Sequence, residues 1–352
     1  MLNQPLYHTI KRYRTLQTDR ISALPIAILM PHSACNCRCV MCDIWKDNHN
    51  LKQLTEKDIT NLLAAFKKFG TRQVVMSGGE ALLNPNFFRF CEMLNREKIK
   101  VTLLSTGLTL KKHVSPIIEL VNDVIVSLDG NEVIHDSIRN INGAFGKLKE
   151  GVMAIKTAKP GYRITARSVI HRLNFRVWPE IITDAKEMGL DQVSFLPADV
   201  SSHAFNREIL WNNTRQHEIL PDMEELPGIK MTIESICSDF EKEFKLKFIA
   251  ESPEKIRNIY SYYASFYGLN PFPYKKCNAP WVSAVIEADG TVRPCFFHPG
   301  LGNIHYESLD KILNNEKAIH FRKNLDVNTD TTCKKCVCYL NLPPRMNPVA
   351  VN

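Results

Sequence analysis

Short apolar runs alternate with longer amphipathic segments from about residue 25 to residue 205, and this alternation constrains the fold more than any other feature. In one amphipathic segment, residues 55–69, Thr55 is a helix-capping residue and Gly70 a stop signal. Strand–helix units at this spacing predict an α/β fold with a parallel sheet and right-handed crossovers. They leave open a doubly wound sheet and a partial β/α barrel, and in both folds ligands bind at the carboxyl ends of the strands. The predicted strands are residues 25–30, 73–77, 101–104, 124–128, 162–169 and 192–196.

Three further regions flank the predicted unit of residues 25–205. Residues 1–24 are a polar N-terminal extension, with an amphipathic stretch that predicts a helix outside the main domain. Residues 206–270 are predicted to be a mostly helical connector, because the alternation stops there. Residues 271–352 are predicted to form a smaller domain, in which two apolar runs flank Asp289-Gly290, a signal for a type I′ hairpin turn.

The loop after the first predicted strand contains four cysteines within eight residues: Cys35, Cys37, Cys39 and Cys42. Three of them form the pattern Cys35-x3-Cys39-x2-Cys42. Thiolates spaced this closely can hold one four-iron cluster and leave one iron free to bind a small molecule. The same spacing permits a zinc site or a group of buried thiols.

A second group of cysteines lies in the predicted C-terminal domain. Cys277 and Cys295 flank the predicted hairpin, Cys333-x2-Cys336 follows, and Cys338 is two residues further on. This set is sufficient for one four-cysteine iron–sulfur cluster or one tetrahedral zinc ion, and beside another cluster loop we favour the cluster. The spacing does not decide between Cys336 and Cys338 as the fourth ligand.

Composition narrows the classes of function. The net charge of +8 is spread along the chain without a long basic run or interleaved aromatic residues, so nothing in the sequence supports a nucleic-acid partner. No apolar segment approaches about 20 residues and no signal-peptide core is present, which predicts a cytoplasmic protein without a membrane span. Eleven cysteines in a reducing compartment then indicate metal or cluster ligation rather than disulfides.

Two other predicted strand ends have residues suited to binding an amino acid. The second strand ends in Ser77-Gly78-Gly79-Glu80, where two glycines permit close approach of the backbone to a ligand. The fourth strand ends near Ser127, and Arg139 follows; a hydroxyl and a guanidinium can together bind a carboxylate. Taken alone, the glycine stretch is a weak signal, because any strand-to-helix turn can contain two glycines. For the Ser127 and Arg139 stretch alone, a strand end with a surface ion pair would be the favoured interpretation.

Together these stretches resemble the radical S-adenosylmethionine (radical SAM) enzymes. The cysteine loop matches the cluster loop of that superfamily, and residues 77–80 match its GGE motif. The stretch from Ser127 through Arg139 to Gly143-Ala144-Phe145 is similar to the subgroup with a SPASM or twitch extension. The resemblance covers about residues 25–345. It implies a partial (β/α)6 TIM-like barrel with a smaller C-terminal twitch or SPASM-like domain built from a β-hairpin and helices.

The resemblance assigns roles to individual residues. One 4Fe–4S cluster binds S-adenosylmethionine (AdoMet), Cys37 is a bystander, and a single auxiliary 4Fe–4S cluster lies in the twitch-like domain. The implied ligands are Cys35, Cys39 and Cys42 for the first cluster and Cys277, Cys295, Cys333 and Cys336 for the auxiliary one. The implied AdoMet contacts are Gly78, Gly79 and Glu80 at the amino group, Ser105 at the ribose, Ser127 and Arg139 at the carboxylate, and Met41 and Leu196 at the adenine.

The resemblance also implies an activity. Radical SAM enzymes cleave AdoMet reductively to a 5′-deoxyadenosyl radical that abstracts hydrogen from a substrate, with an electron from a reductase such as flavodoxin or ferredoxin. We expect a small-molecule substrate that is oxidised or rearranged with help from the auxiliary cluster. No separate leader-peptide-binding domain is visible, and Phe296 stands where anaerobic sulfatase-maturating enzymes have an acidic base. Candidate substrate contacts are Asp199, Ser201, Ser202, His203, Arg293 and His298.

Two alternatives remain. A SPASM-type maturase that modifies a peptide or protein would use the same cofactors. A non-catalytic iron–sulfur electron carrier would explain the cysteines, but it leaves the 77–80 loop, Ser127 and Arg139 without a role.

Overall fold

A computed structural model of the protein describes residues 4–345. These residues contain β1 (Ile26–Leu29), β2 (Gln73–Met76), β3 (Lys100–Ser105), β4 (Asp123–Ser127), β5 (Ile164–Ile170), β6 (Gln192–Pro197), β7 (Ser283–Ile286), β8 (Thr291–Arg293) and β9 (Gly302–Asn303). The strands form one sheet with the order β6-β5-β4-β3-β2-β1-β7-β8-β9. Strands β1 to β6 are neighbours in chain order, and each pairing among them is parallel. A doubly wound sheet changes direction at a switch point, so the six units form the partial (β/α)6 barrel.

Helices connect the parallel strands and fill most of the remaining chain. The α-helices of the described residues are α1 (Gln4–Thr18), α2 (Glu56–Phe69), α3 (Phe87–Arg96), α4 (Val114–Leu120), α5 (Glu132–Arg139), α6 (Ala144–Ala158), α7 (Trp178–Glu187), α8 (Asn213–His217), α9 (Leu226–Asp239), α10 (Glu241–Lys245), α11 (Pro253–Phe266), α12 (Ala279–Val282), α13 (Leu309–Ile312), α14 (Glu316–Asn324) and α15 (Thr331–Lys335). Short 3₁₀ helices lie at Ile44–Asp47, Ala81–Leu83, Leu110–His113, Phe175–Val177 and Met223–Glu225.

Helix α2 shows how local sequence signals set the element boundaries. Thr55 is its N-cap and forms a capping box with Asp58, and Gly70 ends it with a left-handed φ of +65°. One face of the helix is buried, including Ile59, Leu62 and Phe66. The predicted cap, apolar face and stop signal of this helix are confirmed.

The C-terminal region shares the barrel sheet. Strand β7 pairs in parallel with β1, with Ile26 opposite Ser283 and Leu29 opposite Ile286, and the β7–β8 hairpin extends the sheet. The division of the chain into regions at residues 25, 206 and 271 stays a prediction. The sheet continues across the boundary at residue 271, so the barrel and the C-terminal region are not separate sheets.

The predicted type I′ turn of the hairpin is wrong. A type I′ turn needs a positive φ at two consecutive residues, whereas Asp289 is not left-handed and only Gly290 is, with a φ of +83°. The Gly290 amide donates to the Glu287 carbonyl at 2.9 Å, and the Glu287 amide donates to the Thr291 carbonyl at 2.8 Å. This is a three-residue loop in which a left-handed glycine follows a tight turn, and Asp-Gly serves that loop equally well.

The N-terminal segment packs against the C-terminal region through polar contacts. The buried Arg322 guanidinium donates to the carbonyls of Asp19 and Leu313 at 2.6 and 2.7 Å, and the Trp281 indole donates to the Asp19 carboxylate at 2.8 Å. Among residues 4–345, none of the helices combines the length and the apolar character that a bilayer span requires.

Asn84, in the connection after β2, joins both ends of the connection between β1 and α2. Its amide nitrogen donates to the carbonyls of Pro31 and Leu54 at 2.7 and 3.0 Å, and its oxygen accepts the Asn86 amide at 2.8 Å. The residue is 2% exposed, so water cannot replace these hydrogen bonds. The loops that surround the cysteines therefore depend on this side chain for their relative positions.

We expect Asn84→Ala to lower the free energy of unfolding by about 2 kcal/mol, because buried carbonyls lose their donor. Asn86→Ala is the matched control, since the Asn86 side chain makes no capping hydrogen bond, and it should cost less than about 0.5 kcal/mol. Urea unfolding followed by circular dichroism measures both values. Equal losses in the two variants would contradict this role for Asn84.

Candidate functional site

A cavity of about 210 Å³ lies at the carboxyl ends of the barrel strands. It brings together residues from the loops after β1, β2, β3 and β4 and from the end of β6. The sequence-predicted residues that line it are Cys35, Cys39, Cys42, Met41, Gly78, Gly79, Ser105, Ser127, Arg139 and Leu196. Glu80 does not line the cavity, although its neighbours in the motif do.

The cysteine loop is held by hydrogen bonds from its own backbone. The Cys35 amide donates to Asn48 Oδ1 at 3.0 Å, and Asn48 Nδ2 donates back to the Cys35 carbonyl at 2.9 Å. On the other side, the amides of Arg38 and Val40 donate to the last carbonyls of α5 at 3.0 Å. The loop is therefore fixed at both edges, and Cys35, Cys39 and Cys42 line the cavity.

The thiols of this loop differ in acidity. A hydrogen bond with the Cys37 thiol lowers the pKa of Cys39 to about 6, whereas burial raises the pKa of Cys35 and of Cys42 to about 12. Metal ligation needs thiolates, so metal binding at Cys35 and Cys42 would release protons. Cys37 is 1% exposed and does not line the cavity.

Gly78 and Gly79 bring the end of β2 into direct contact with the cysteine loop. Gly78 has a φ of +113°, and a Cβ on Gly79 would lie 2.2 Å from the Ala34 carbonyl oxygen. The Glu80 amide donates to that same carbonyl at 3.0 Å. A larger residue at Gly79 would displace the segment that leads into Cys35.

The Glu80 side chain organises the loops around the cavity. It is fully buried and accepts four hydrogen bonds: from the Leu82 amide at 3.2 Å, from the Thr106 amide and hydroxyl at 2.8 Å each, and from the Ser105 hydroxyl at 3.0 Å. Burial raises the pKa of Glu80, and the hydrogen bonds oppose that effect. The carboxylate thus joins the loop after β2 to the loop after β3. The Ser105 hydroxyl donates its one proton to this carboxylate.

Arg139, at the end of α5, lies between a cysteine and a buried carboxylate. Its Nη1 donates to Cys39 Sγ at 3.4 Å, and its Nη2 forms an ion pair with Asp129. Asp129 is fully buried and also accepts the Val169 amide of β5 at 2.8 Å. The Arg139 Nε, also buried, has no hydrogen-bond partner among residues 4–345.

His135 completes the surroundings of this ion pair. The Asp129 amide donates to its Nδ1 at 3.2 Å, and burial lowers the pKa of His135 to about 4. The imidazole is therefore neutral at pH 7 and adds no second positive charge beside Arg139.

A segment after β6 covers the cysteine loop, and the sequence analysis did not anticipate its contacts. The buried Arg207 guanidinium donates to Asp199 Oδ2 at 2.5 Å and to the Met41 carbonyl at 3.1 Å. It lies 3.9 Å from the centre of the Trp211 ring, and the Trp211 indole donates to Asp43 Oδ2 at 2.7 Å. No local pattern signals these contacts, because the partners are far apart in the chain.

This arrangement changes the interpretation of the candidate substrate contacts after β6. Asp199 lines the cavity, but its carboxylate pairs with Arg207 and accepts the Ser202 hydroxyl at 2.6 Å. His203 Nδ1 lies 3.0 Å from the Arg207 carbonyl. These contacts hold the covering segment together, and they engage Asp199 Oδ2, the Ser202 hydroxyl and His203 Nδ1.

The second group of cysteines lies around the β7–β8 hairpin and α15. Cys295 lies within electrostatic range of Cys277, Cys333, Cys336 and Cys338, so it is the common neighbour of this group of thiols. The Cys336 thiol donates to the carbonyl of Cys338, whose own side chain is exposed.

The remaining two candidate substrate contacts are engaged near these thiols. His298 is 5% exposed, packs edge-on against Phe321, and has its Nε2 3.3 Å from Cys333 Sγ. Arg293 pairs with Glu287 at 2.9 Å and donates to the His298 carbonyl at 3.2 Å.

Both cysteine groups fit iron–sulfur clusters. In the described part of the chain, His298, Asp330 and Cys333 have ligand atoms within 4.8 Å of one another. No three thiols within residues 4–345 lie that close together. Thiolates on a single tetrahedral zinc ion lie about 3.8 Å apart. A four-iron cluster, in which each thiolate binds a different iron, accepts thiolates that are farther apart than one zinc ion does. At the first site, Gly78 and Arg139 line the cavity, and the buried Arg139 Nε has no hydrogen-bond partner among residues 4–345.

Comparison with known families agrees with this geometry. The radical SAM superfamily matches residues 29–185, and SPASM, an iron–sulfur cluster-binding domain, matches residues 277–337. The chain therefore belongs to the radical SAM superfamily and has a SPASM-type C-terminal domain. The cofactors of such a chain are AdoMet and a 4Fe–4S cluster, together with an auxiliary iron–sulfur cluster.

Its curated relatives act on very different substrates. The subtilosin biosynthesis protein AlbA of Bacillus subtilis (strain 168) is 22% identical over 80% of this chain and 57% of AlbA. An S-adenosylmethionine-dependent nucleotide dehydratase of Fibrobacter sp. (strain UWH6) is 24% identical over 53% of this chain and 61% of that protein. A cysteine-type anaerobic sulfatase-maturating enzyme of Clostridium novyi (strain NT) is 24% identical over 91% of this chain and 86% of the enzyme. The match to the first two spans about three fifths of their length.

Solved structures share the fold. SuiB of Streptococcus suis, bound to its precursor peptide SuiA, superposes with a TM-score of 0.65 over 97% of this chain and 78% of SuiB, at 15% identity. The enzyme anSMEcpe, with bound AdoMet and a peptide, superposes with a TM-score of 0.62 over 89% of this chain and 88% of that enzyme, at 17% identity. At these identities the likeness extends to the architecture, a partial barrel with a C-terminal cluster domain.

Asp129→Asn should destabilise the protein by about 3 kcal/mol, because Arg139 would be left as an uncompensated buried charge. Glu132→Gln, an exposed change in the first turn of α5, is the matched control and should cost less than about 0.5 kcal/mol. Urea unfolding under anaerobic conditions measures both. A loss below about 1 kcal/mol in Asp129→Asn would show that the pair does not hold the site together.

Proposed function

We propose that this protein is a radical SAM enzyme that uses Cys35, Cys39 and Cys42 to hold its AdoMet-binding cluster. One observation supports the assignment above the others: the three thiols, the glycine turn after β2 and the arginine at the end of α5 line one cavity. A non-catalytic electron carrier would not need the glycine turn or the arginine. When bound, the 4Fe–4S cluster and AdoMet supply a 5′-deoxyadenosyl radical that abstracts hydrogen from the substrate.

The protein's own residues bind and orient AdoMet. The backbone at Gly78 and Gly79 receives the amino group, and Ser127 with the Arg139 Nε receives the carboxylate. Met41 and Leu196 provide apolar contact for the adenine, and Ser105 lies on the ribose side. Glu80 contributes through its backbone, because its carboxylate is fully used by the neighbouring loops. The covering segment with Arg207 keeps water from the cysteine loop.

The auxiliary cluster is proposed to bind Cys277, Cys295, Cys333 and Cys336, with Cys338 outside. The exposed position of Cys338 and the half-buried position of Cys336 support this choice. With four protein ligands, the cluster has no iron open to substrate. Its role is to accept or deliver an electron, and a reductase such as flavodoxin or ferredoxin supplies the first electron.

The proposed substrate is a small molecule that undergoes oxidation or rearrangement. Phe296, directly after Cys295, packs against the Phe205 ring at 5.2 Å, so this position offers an apolar surface and no base. A peptide substrate is the second candidate, and the sulfatase-maturating enzyme that matches 91% of the chain favours it. The relatives include proteins of both kinds.

Cys39→Ala should abolish 5′-deoxyadenosine formation after anaerobic reconstitution with dithionite and AdoMet, because the first cluster loses a ligand. Bound iron should fall from about eight to about four per chain. Cys91→Ala is the control, since Cys91 is buried in α3 away from both sites and should keep the iron and the product. If wild-type protein holds about eight irons per chain and forms no 5′-deoxyadenosine, the radical SAM assignment fails.

Cys333→Ala should lower bound iron to about four per chain, as Cys39→Ala does, but it should still form 5′-deoxyadenosine. Cys336→Ala should behave the same way, whereas Cys338→Ala should keep about eight irons. Iron analysis and chromatography of the products measure both quantities. Zinc in place of the lost iron, or retention of all iron in Cys336→Ala, would contradict the proposed ligand set.

A further inference from the structure

A second cavity, of about 130 Å³, lies next to the AdoMet cavity and has no role in the proposed chemistry so far. It is bounded by β5, β6, α11 and the segment that contains Cys336 and Cys338. Arg167, Leu196, Pro197 and Val337 line both cavities, so the two spaces adjoin. A molecule in the second cavity would therefore lie beside both AdoMet and the auxiliary cysteines.

Arg167 is a cation inside the barrel with spare hydrogen-bonding capacity. It lies in the middle of β5, where it is on the same face as Val169, which also lines the AdoMet cavity. Its Nε donates to Ser194 Oγ on β6 at 3.3 Å. Among residues 4–345 its two terminal nitrogens have no other hydrogen-bond or ion-pair partner, so the fork of the guanidinium is available to a ligand.

The rest of the lining adds positive charge. Lys255 and Lys275 line the same cavity, and the ammonium of Lys275 donates to the Lys334 carbonyl at 2.8 Å. The ammonium of Lys255 lies 5.9 Å from the centre of the Tyr339 ring. Within the described residues Glu251 is the one carboxylate in the lining, and it already accepts the Phe195 amide at 3.1 Å. Lys275 faces Cys277, Cys333 and Cys336 and would balance part of the charge of the auxiliary cluster. Arg167 and Lys255 then share the single Glu251 carboxylate, which leaves one positive charge in excess.

We propose that this cavity binds an anionic group of the substrate, a carboxylate or a phosphate, on Arg167 with support from Lys255 and Lys275. A guanidinium with two free terminal nitrogens matches the two oxygens of either group. Bound there, the anion fixes one end of the substrate, and the shared wall lets the other end extend into the AdoMet cavity. The Asn258 side chain and the exposed Tyr274 line the same space and offer further polar contacts.

This assignment rests on the proposed function, because it takes the adjoining cavity to be the AdoMet site. It narrows the substrate class to acids and phosphate esters. With a neutral substrate, Arg167 would share the Glu251 carboxylate with Lys255, and its two terminal nitrogens would have no hydrogen-bond acceptor. The apolar wall formed by Leu196, Pro197 and Val337 would then face the carbon skeleton.

The test uses the full reconstituted chain with AdoMet and two probes, inorganic phosphate and acetate. Their 31P and 13C NMR line widths are titrated at constant ionic strength. Wild-type protein should bind one of the probes saturably, and Arg167→Gln should weaken that binding about tenfold or more. Arg257→Gln is the matched control, because Arg257 is on α11, carries the same charge and pairs with Glu234 outside the cavity. It should change the affinity less than about twofold.

The outcomes separate this proposal from the proposed function. If 5′-deoxyadenosine forms but Arg167→Gln and Lys275→Gln both bind the probe as wild type does, the anion site is wrong. Absence of saturable binding of both probes to wild-type protein also overturns it. If no 5′-deoxyadenosine forms and the variants still lose probe binding, the anion site stands and the radical SAM assignment fails. If Arg167→Gln does not fold, Lys275→Gln and Lys255→Gln provide the same comparison. The probe that binds more tightly, acetate or phosphate, identifies the anionic group as a carboxylate or a phosphate.

Discussion

The buried ion pair between Arg139 and Asp129 is the interaction on which the site depends. Asp129 follows β4 and is tied to β5 through the Val169 amide, while Arg139 ends α5 and reaches Cys39. A buried charge is costly unless it is paired, so each member of the pair holds the other in place. The position of a cluster ligand is thereby set by two barrel strands and a helix, and not by the cysteine loop alone.

Two other buried charged groups also stabilise the surroundings of the cysteine loop. Glu80 is a fully buried carboxylate with four hydrogen-bond donors, and Arg207 is a buried guanidinium paired with Asp199. The cysteine loop is irregular backbone and has few regular hydrogen bonds of its own. Buried charged groups with charge or hydrogen-bond partners lie on three sides of the loop and favour one conformation before any cofactor binds, which reduces the ordering cost of binding.

Much of the fold and of the first site could be predicted, because the signals are local. The apolar runs and the cap and stop residues of α2 lie within a few positions of the elements they specify. The cysteine spacing likewise lies within one loop. Arg207 and Trp211 could not be found this way, since they contact Met41 and Asp43 more than 160 positions earlier in the chain.

Two other differences have specific causes. The Asp289-Gly290 pair favours a left-handed glycine, but this property is common to two kinds of hairpin loop, so the dipeptide did not determine the turn type. Arg167 was missed because a charged residue within a strand pattern looks like an outward-facing position. Only the closed curvature of the barrel shows that this face of β5 points inward, towards the cavities.

The parallel pairing of β1 with β7 has a consequence for the synthesis of the chain. Strand β2 can pair with β1 as soon as residue 76 leaves the ribosome, but the other edge of β1 waits for residues 283–286. At ordinary translation speeds that interval is on the order of ten seconds or more. Throughout it, the apolar strand that leads into the cysteine loop has an open edge that can pair with another nascent chain. A chain truncated before residue 283 would keep that edge open, whereas β7 covers it in the complete fold.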